Sequence, residues 1–401
     1  MSKIKILYSH YLLMVTVFLL PWDTVAGSIA IIINIIFALY FIFKEKKYKE
    51  VFTLQYFAAI SVIFTYILGV FYSSNTEYAF SFIQTTIPLL FFPLLFVNVK
   101  LSQKKIVKII LTFVISYTIR SLMVLVFLIK EVLFQGLNKN WYFQKIEELG
   151  GFHTTIMGTY SIVSVILLLY LISKKKNNWY YLLIVFNMFF LFILASRMVI
   201  ISFLMIFFIY LIFIYIKIKN RRKTILIVSV ISIILMSVII STNHDLRYKF
   251  MQLKNINSFK YNKYDASSIA SRIAKWESAI NIYKENNFLI GTGTGDIPED
   301  LLIQFKKIDC LQCRVKKYNN PHNQYLDSLS RNGILGVVFL LLNLIYPIII
   351  ALKTQNVYQL MFIITFVLIF VSECMLNREK GVQLFGFFYS FIYLLNSKNV
   401  K

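Results

Sequence analysis

Charge is scarce in this chain. Asp, Glu, Lys and Arg together make up 15% of its 401 residues, against 58% hydrophobic residues, a balance that excludes a soluble globule and defines an integral membrane protein. Acidic residues are the scarcer sign, 18 against 42 Lys and Arg. With three cysteines and four histidines in all, no second Cys or His pair stands beside Cys310 and Cys313 to complete a zinc site, and no metal is expected. Whether that pair closes a short disulfide is open on sequence alone, and Cys374 stands apart. The chain also lacks alternating strand patterns, which favours a helical bundle over a barrel. It shows no internal repeat, low-complexity tract or linker long enough to mark an independent domain.

What the chain does have is apolar runs near the roughly 20 residues that a helix needs to cross a bilayer. They fall at 4–20, 24–43, 51–72, 78–97, 106–129, 153–172, 179–194, 198–216, 224–241, 333–352, 357–372 and 382–395, so the expected fold is an all-α polytopic membrane protein of about twelve transmembrane helices. The run 179–216 is 38 residues long, nearly twice the hydrocarbon thickness at about 1.5 Å per residue, and is broken at its midpoint, Ala195-Ser196-Arg197. The first run, preceded by Lys3 and Lys5, reads as a span rather than a cleaved leader, because Thr24-Val25-Ala26 is a poor cleavage site.

Basic residues fix the orientation. Lys44 to Lys49, Lys100 to Lys108, Lys174 to Lys176 and Lys217 to Lys223 fall between alternate spans, which places both termini in the cytoplasm by the positive-inside rule. The net charge of +24 is then a topology signal with some affinity for anionic lipid, and no nucleic-acid partner is called for. The expected organisation is residues 1–241 with nine spans, 242–332 as one large external (periplasmic) helical loop, and 333–401 with three spans. That loop holds 14 of the 42 basic residues.

Candidate chemistry gathers on the outer side. Within Asn320-Pro321-His322-Asn323, Asn320 is expected to cap a helix and Pro321 to begin it, so that the His322 imidazole stands in the first turn as a neutral base. Asn323 is a candidate substrate contact beside it. Arginine in or near a span costs roughly 2.5–3.5 kcal/mol at a helix centre and calls for a reason; Arg197, Arg120 and Arg378 are such cases, each suited to bidentate contact with phosphate oxygens. His153, at the outer end of the sixth span, is a further candidate contact. Ser268 to Ile280 reads as an amphipathic helix with Ile269, Ile273, Trp276 and Ile280 on one face, lying along the outer leaflet or capping the bundle, and it carries Arg272. Gly291-Thr292-Gly293-Thr294-Gly295 has neither the strand–loop–helix context nor the lysine of a nucleotide loop, and is expected to form a tight turn approaching a substrate or a neighbouring helix.

These residues resemble the O-antigen ligase and polymerase superfamily of bacterial envelope enzymes. The resemblance is carried by Ser271-Arg272 through Trp276 and Ala279, by Gly291 to Gly295, by His322-Asn323-Gln324-Tyr325-Leu326 with Gly333 and Gly336, and by Ala195-Ser196-Arg197 before an apolar helix. It covers residues 266–342; elsewhere the spans match in number and hydropathy, and the sixth span lacks the proline often found after its external histidine. The resemblance implies an inverting glycosyltransferase, independent of metal and cofactor, at the external face of the inner (cytoplasmic) membrane. Its donor would be a glycan linked to undecaprenyl pyrophosphate, with His322 as base on an acceptor hydroxyl and Arg197 and Arg272 neutralising the pyrophosphate. A ligase acts on lipid A core, a polymerase on the growing glycan, and a protein oligosaccharyltransferase on a polypeptide. An exporter or flippase is the competitor from another class, but it would need charged sites spread across the membrane, whereas here they gather on one face.

Overall fold

The computed structural model describes residues 7–22, 25–51, 53–97, 101–135, 142–217, 261, 268–310, 313 and 320–395. A π-helical turn, Leu7–Leu12, runs into α1 (Leu13–Leu19), followed by α2 (Val25–Lys44), α3 (Leu54–Val70), α4 (Thr76–Thr86), α5 (Pro88–Val97) and α6 (Gln103–Gln135). Next come α7 (Tyr142–Gly150), α8 (Thr154–Lys174), α9 (Asn178–Ile193), α10 (Arg197–Lys217), α11 (Ser268–Glu285), α12 (Ile297–Lys307), α13 (Gln324–Lys353), α14 (Val357–Ile369) and α15 (Glu379–Leu394). No strand occurs among the described residues. Helices lie on every expected span but 224–241, which falls outside the described residues. Six of them, counting α4 and α5 as one, are long and apolar enough to cross a membrane, and the protein is a multi-pass membrane protein.

The local signals are ordinary ones. Side chains of Thr53, Asn75, Asn177 and Asn356 accept backbone N–H groups at the starts of α3, α4, α9 and α14, satisfying donors that lipid cannot. Between α9 and α10 the chain reverses at Ala195, whose φ of 44° is left-handed, so the long apolar run breaks at the triplet expected from its length.

At the centre of the bundle is α8, with 17 of its 21 residues buried, whereas α2 leaves Ile29, Ile32, Ile36, Tyr40 and Phe43 exposed as a stripe suited to lipid. Polar groups join the spans from within. Asn343 on α13 donates to the carbonyls of Ala58 and Ala59 on α3 (2.8 and 2.9 Å), and Ser61 returns a bond to the Phe339 carbonyl at 2.8 Å. Tyr160 of α8 places its hydroxyl 3.2 Å from the Leu20 carbonyl and 3.3 Å from that of Lys380.

One helix is two. Asn332 and Gly333 leave helical geometry inside α13, Gly333 with φ 60°, so a first segment runs from Gln324 to the kink and a second continues to Lys353. The glycine-rich loop docks at this kink. Thr292 N–H donates to Ser330 (3.1 Å), Gly293 N–H to Arg331 (3.0 Å) and Thr294 N–H to Gly69 (3.2 Å). The loop therefore approaches neighbouring helices, as one of its two expected uses. α11 packs on α12 and α13, with Ile269, Ala270, Ile273 and Ala274 inward, while Ile280 is 37% exposed and departs from the expected apolar face. The buried face takes in Ala270 and Ala274 beside Ile269 and Ile273, and Ile280 lies at its edge. Cys310 and Cys313 are joined by a disulfide.

Candidate active site

The segment before α13 folds differently from its expected geometry. Asn323, not Asn320, is the N-cap: its Oδ1 accepts N–H groups of Tyr325 and Leu326, both at 3.0 Å. Asn320 instead accepts the His322 N–H at 2.9 Å, closing a tight turn that leaves His322 outside the helix with φ 50°. Two asparagines three residues apart compete for the cap, and the later one satisfies two helical donors where the earlier satisfies one turn donor. A non-glycine residue held at positive φ costs on the order of 1–3 kcal/mol, a strain that clusters at functional sites. Asn323 Oδ1 is thus engaged in capping the helix.

His322 meets a carboxylate that lies 51 residues further on. Glu373 follows α14 and has no exposed side-chain surface, and its two oxygens lie 3.3 Å from His322 Nδ1. His153 Nδ1 is 3.7 Å and Arg378 guanidinium nitrogen 3.6 Å from the same carboxylate. Burial by itself would raise the Glu373 carboxyl, but His322, His153 and Arg378 outweigh it and hold the group well below the usual carboxylate range. Glu373 is therefore an anion, and it assigns the His322 proton to Nδ1, leaving Nε2 as the basic atom. Burial pushes the His322 imidazolium down; Glu373 opposes this, while Lys275 and Arg272 add to it, and the net direction is downward. The ring is neutral at pH 7, as expected, although burial and not a helix terminus is the main cause.

His153 caps α8 through Nδ1, which accepts the Thr155 N–H at 3.3 Å. That bond puts its proton on Nε2, 3.3 Å from Glu147. Glu147 also receives the Thr154 N–H at 3.3 Å. Beside these groups opens a cavity of about 230 Å³ lined by Glu147, His153, Thr154, Thr155, Ser196, Arg197, Arg272 and Ser372, among others. Two arginines from separate helices, α10 and α11, thus share one small polar cavity. Burial pushes the Arg272 guanidinium down and Glu373 pulls it back, yet a guanidinium remains charged throughout the relevant pH range. Neither His322 nor Glu373 lines this cavity; Glu373 reaches its wall at His153, 3.7 Å away, and His322 feels the field of Arg272.

Arg120 is elsewhere. Its guanidinium lies over the Trp22 ring, 5.2 Å from the centroid, a cation–π contact that gives an arginine at a span's outer end an aromatic partner.

A buried network holds the Glu373 turn in place. Arg331, 1% exposed, donates to Asp327 at 3.0 and 3.2 Å and to the Thr294 carbonyl. Asp327 accepts from Asn377 at 2.9 Å, and the Gln324 side chain accepts the Leu376 N–H at 2.9 Å. Glu373 and Glu147 were not singled out from sequence. Glu373 carried a usable signal, since a carboxylate beside an apolar span in an acid-poor chain needs a cationic partner.

These features define a helical membrane protein with a neutral base, a buried carboxylate and a two-arginine cavity gathered at one end of its bundle. A family described as O-antigen ligase matches residues 181–341, and over that stretch the resemblance to the O-antigen ligase and polymerase superfamily holds. The matched residues include Arg197, Arg272 and His322. An uncharacterized protein of Haemophilus influenzae (strain ATCC 51907 / DSM 11121 / KW20 / Rd) is 24% identical over 182 residues, 43% of this chain and 45% of that protein. The chain thus spans about half the length of this relative.

Proposed function

We propose that the protein is a glycosyltransferase of the O-antigen ligase type, working at the outer face of the inner membrane. The donor is a glycan on undecaprenyl pyrophosphate, and the acceptor is a hydroxyl of lipid A core or a related glycan. The observation that carries this reading is the placement of His322 on Glu373, whose carboxylate also lies 3.7 Å from His153 at the wall of a cavity shared by Arg197 and Arg272. In the reaction the acceptor oxygen attacks the anomeric carbon as its bond to the pyrophosphate oxygen breaks. Nε2 of His322 takes the hydroxyl proton, and the oxygen side of the broken bond leaves with its electron pair as undecaprenyl pyrophosphate. A single displacement of this kind inverts the anomeric centre.

Each residue has a physical task. A positioned base contributes about 10²- to 10⁴-fold. Arg197 and Arg272 stabilise charge on the departing pyrophosphate in a partly dehydrated cavity, where such contacts are worth several kcal/mol. Glu373 stabilises the imidazolium formed at His322, and Arg378 beside it limits the excess negative charge. His153 faces the cavity from the α8 terminus, where it contacts the donor.

The test is transfer by purified protein in lipid vesicles, with a synthetic undecaprenyl-pyrophosphate glycan and no nucleotide or added metal. Lipid A core, unsubstituted donor and an acceptor protein are offered separately. Glycan appearing on lipid A core supports the ligase; lengthened donor reassigns the protein as a polymerase, and glycosylated protein as an oligosaccharyltransferase. Transfer to none of them, with glycan-lipid instead crossing the vesicle membrane, overturns the enzymatic reading.

A further inference from the structure

The turn that follows α11 exposes its two largest apolar side chains: Phe288 is 61% and Leu289 52% exposed. It is not a loose turn. Asn287 Oδ1 accepts the N–H groups of Leu289 (2.9 Å) and Ile290 (3.2 Å), and the Asn287 carbonyl accepts the Gly291 N–H at 2.8 Å. Its outward carbonyls are taken by α13 immediately after the kink: Ile334 N–H donates to Phe288 at 3.1 Å and Leu335 N–H to Leu289 at 3.2 Å. At Gly333 a Cβ would lie 2.4 Å from the Leu289 carbonyl, and φ is 60°, so glycine is required for this approach.

The location of that seam matters. From Ile334 to Lys353 α13 has 20 residues, which at about 1.5 Å each cover the ~30 Å hydrocarbon thickness. Its lipid-directed stripe is exposed Leu335, Val338, Leu342, Ile345 and Ile349 at helical spacing. Phe288 and Leu289 are stitched to the first residues of this stripe and continue it beyond the membrane-crossing segment.

We propose that Phe288 and Leu289 form an interfacial anchor, buried among the outer-leaflet lipids where their acyl chains meet the headgroups. The occupant is lipid because the patch is continuous with the lipid-facing surface of α13. The anchor sets the depth of α11, which carries Arg272 and runs directly into the turn. The expected membrane contact of the Ser268–Ile280 helix is thereby moved to the turn at its end. This inference concerns membrane depth and stands independently of the proposed transfer reaction.

Spin labels test it in the full-length protein in phospholipid nanodiscs. Cys374 is buried and Cys310 is bonded to Cys313, so a label on Leu289→Cys is selective; Val338→Cys is the lipid-facing reference and Lys306→Cys the exposed, charged one. At 289 collisions with oxygen are expected to dominate and collisions with a water-soluble nickel complex to be lost, as at 338, with the reverse at 306. Nickel-dominated collisions at 289 would put the turn in water and overturn the anchor. Exclusion of both reagents would show protein, such as a second copy of this chain, covering the patch, and would overturn it equally.

Discussion

The stretch matched to the O-antigen ligase family and the segments flanking it contribute different things to the site. Residues 181–341 bring the proposed base, His322, and two cations, Arg197 and Arg272. The flanks bring the anions: Glu147 from α7 and Glu373 from the turn after α14, with His153 and Arg378 alongside. The matched stretch thus holds groups suited to meet a phosphorylated donor, while the flanks hold groups that set the proton positions of the two histidines. A shared motif can specify a reaction type while the tuning of its base lies in residues distant in sequence.

Substitutions can break this comparison in order of effect. His322→Ala should lower kcat by about 10²- to 10⁴-fold with the protein still inserted, measured as glycan transfer in vesicles; transfer at the wild-type rate removes His322 from the chemistry. Glu373→Gln should lower kcat by roughly 10- to 100-fold, since a buried charge-assisted contact of about 1.5–3 kcal/mol is weakened; an effect confined to KM would make Glu373 a binding residue. Arg272→Lys should weaken donor binding by about tenfold, one fork-shaped hydrogen bond being worth about 1.4 kcal/mol; unchanged KM for the donor would show that charge alone suffices. Arg120→Ala should change kcat and KM less than about twofold while removing a cation–π contact of about 0.5–1 kcal/mol at the Trp22 end of the bundle. A large loss of transfer in a stably inserted Arg120→Ala protein would return that residue to the site.

Much of the fold was legible because membranes impose length. The break at Ala195 followed from a run too long for one crossing, and the structure turns there with φ 44°. Asn323 was harder: two asparagines three residues apart both suit a cap, and sequence spacing does not say which one the backbone will choose. Arg120 was harder to place from burial cost alone, because an aromatic face can hold a guanidinium, and Trp22 is 98 residues away in sequence. Glu373 is the most instructive omission. Its sequence neighbour Arg378 is one partner, but the nearest nitrogen to it in the folded chain is Nδ1 of the His322 imidazole, brought there by the packing of α13 against α14.

The link between the matched stretch and its flank is tested most directly by the pH dependence of kcat/KM for wild-type protein and Glu373→Gln. Burial holds the His322 pKa below 6.5, and Glu373 works against that burial. Activity that requires neutral His322 is therefore lost as pH falls through a midpoint below 6.5, and removing the carboxylate's charge moves the midpoint lower still. A midpoint that stays in place or rises in Glu373→Gln would contradict the pairing of this base with this carboxylate.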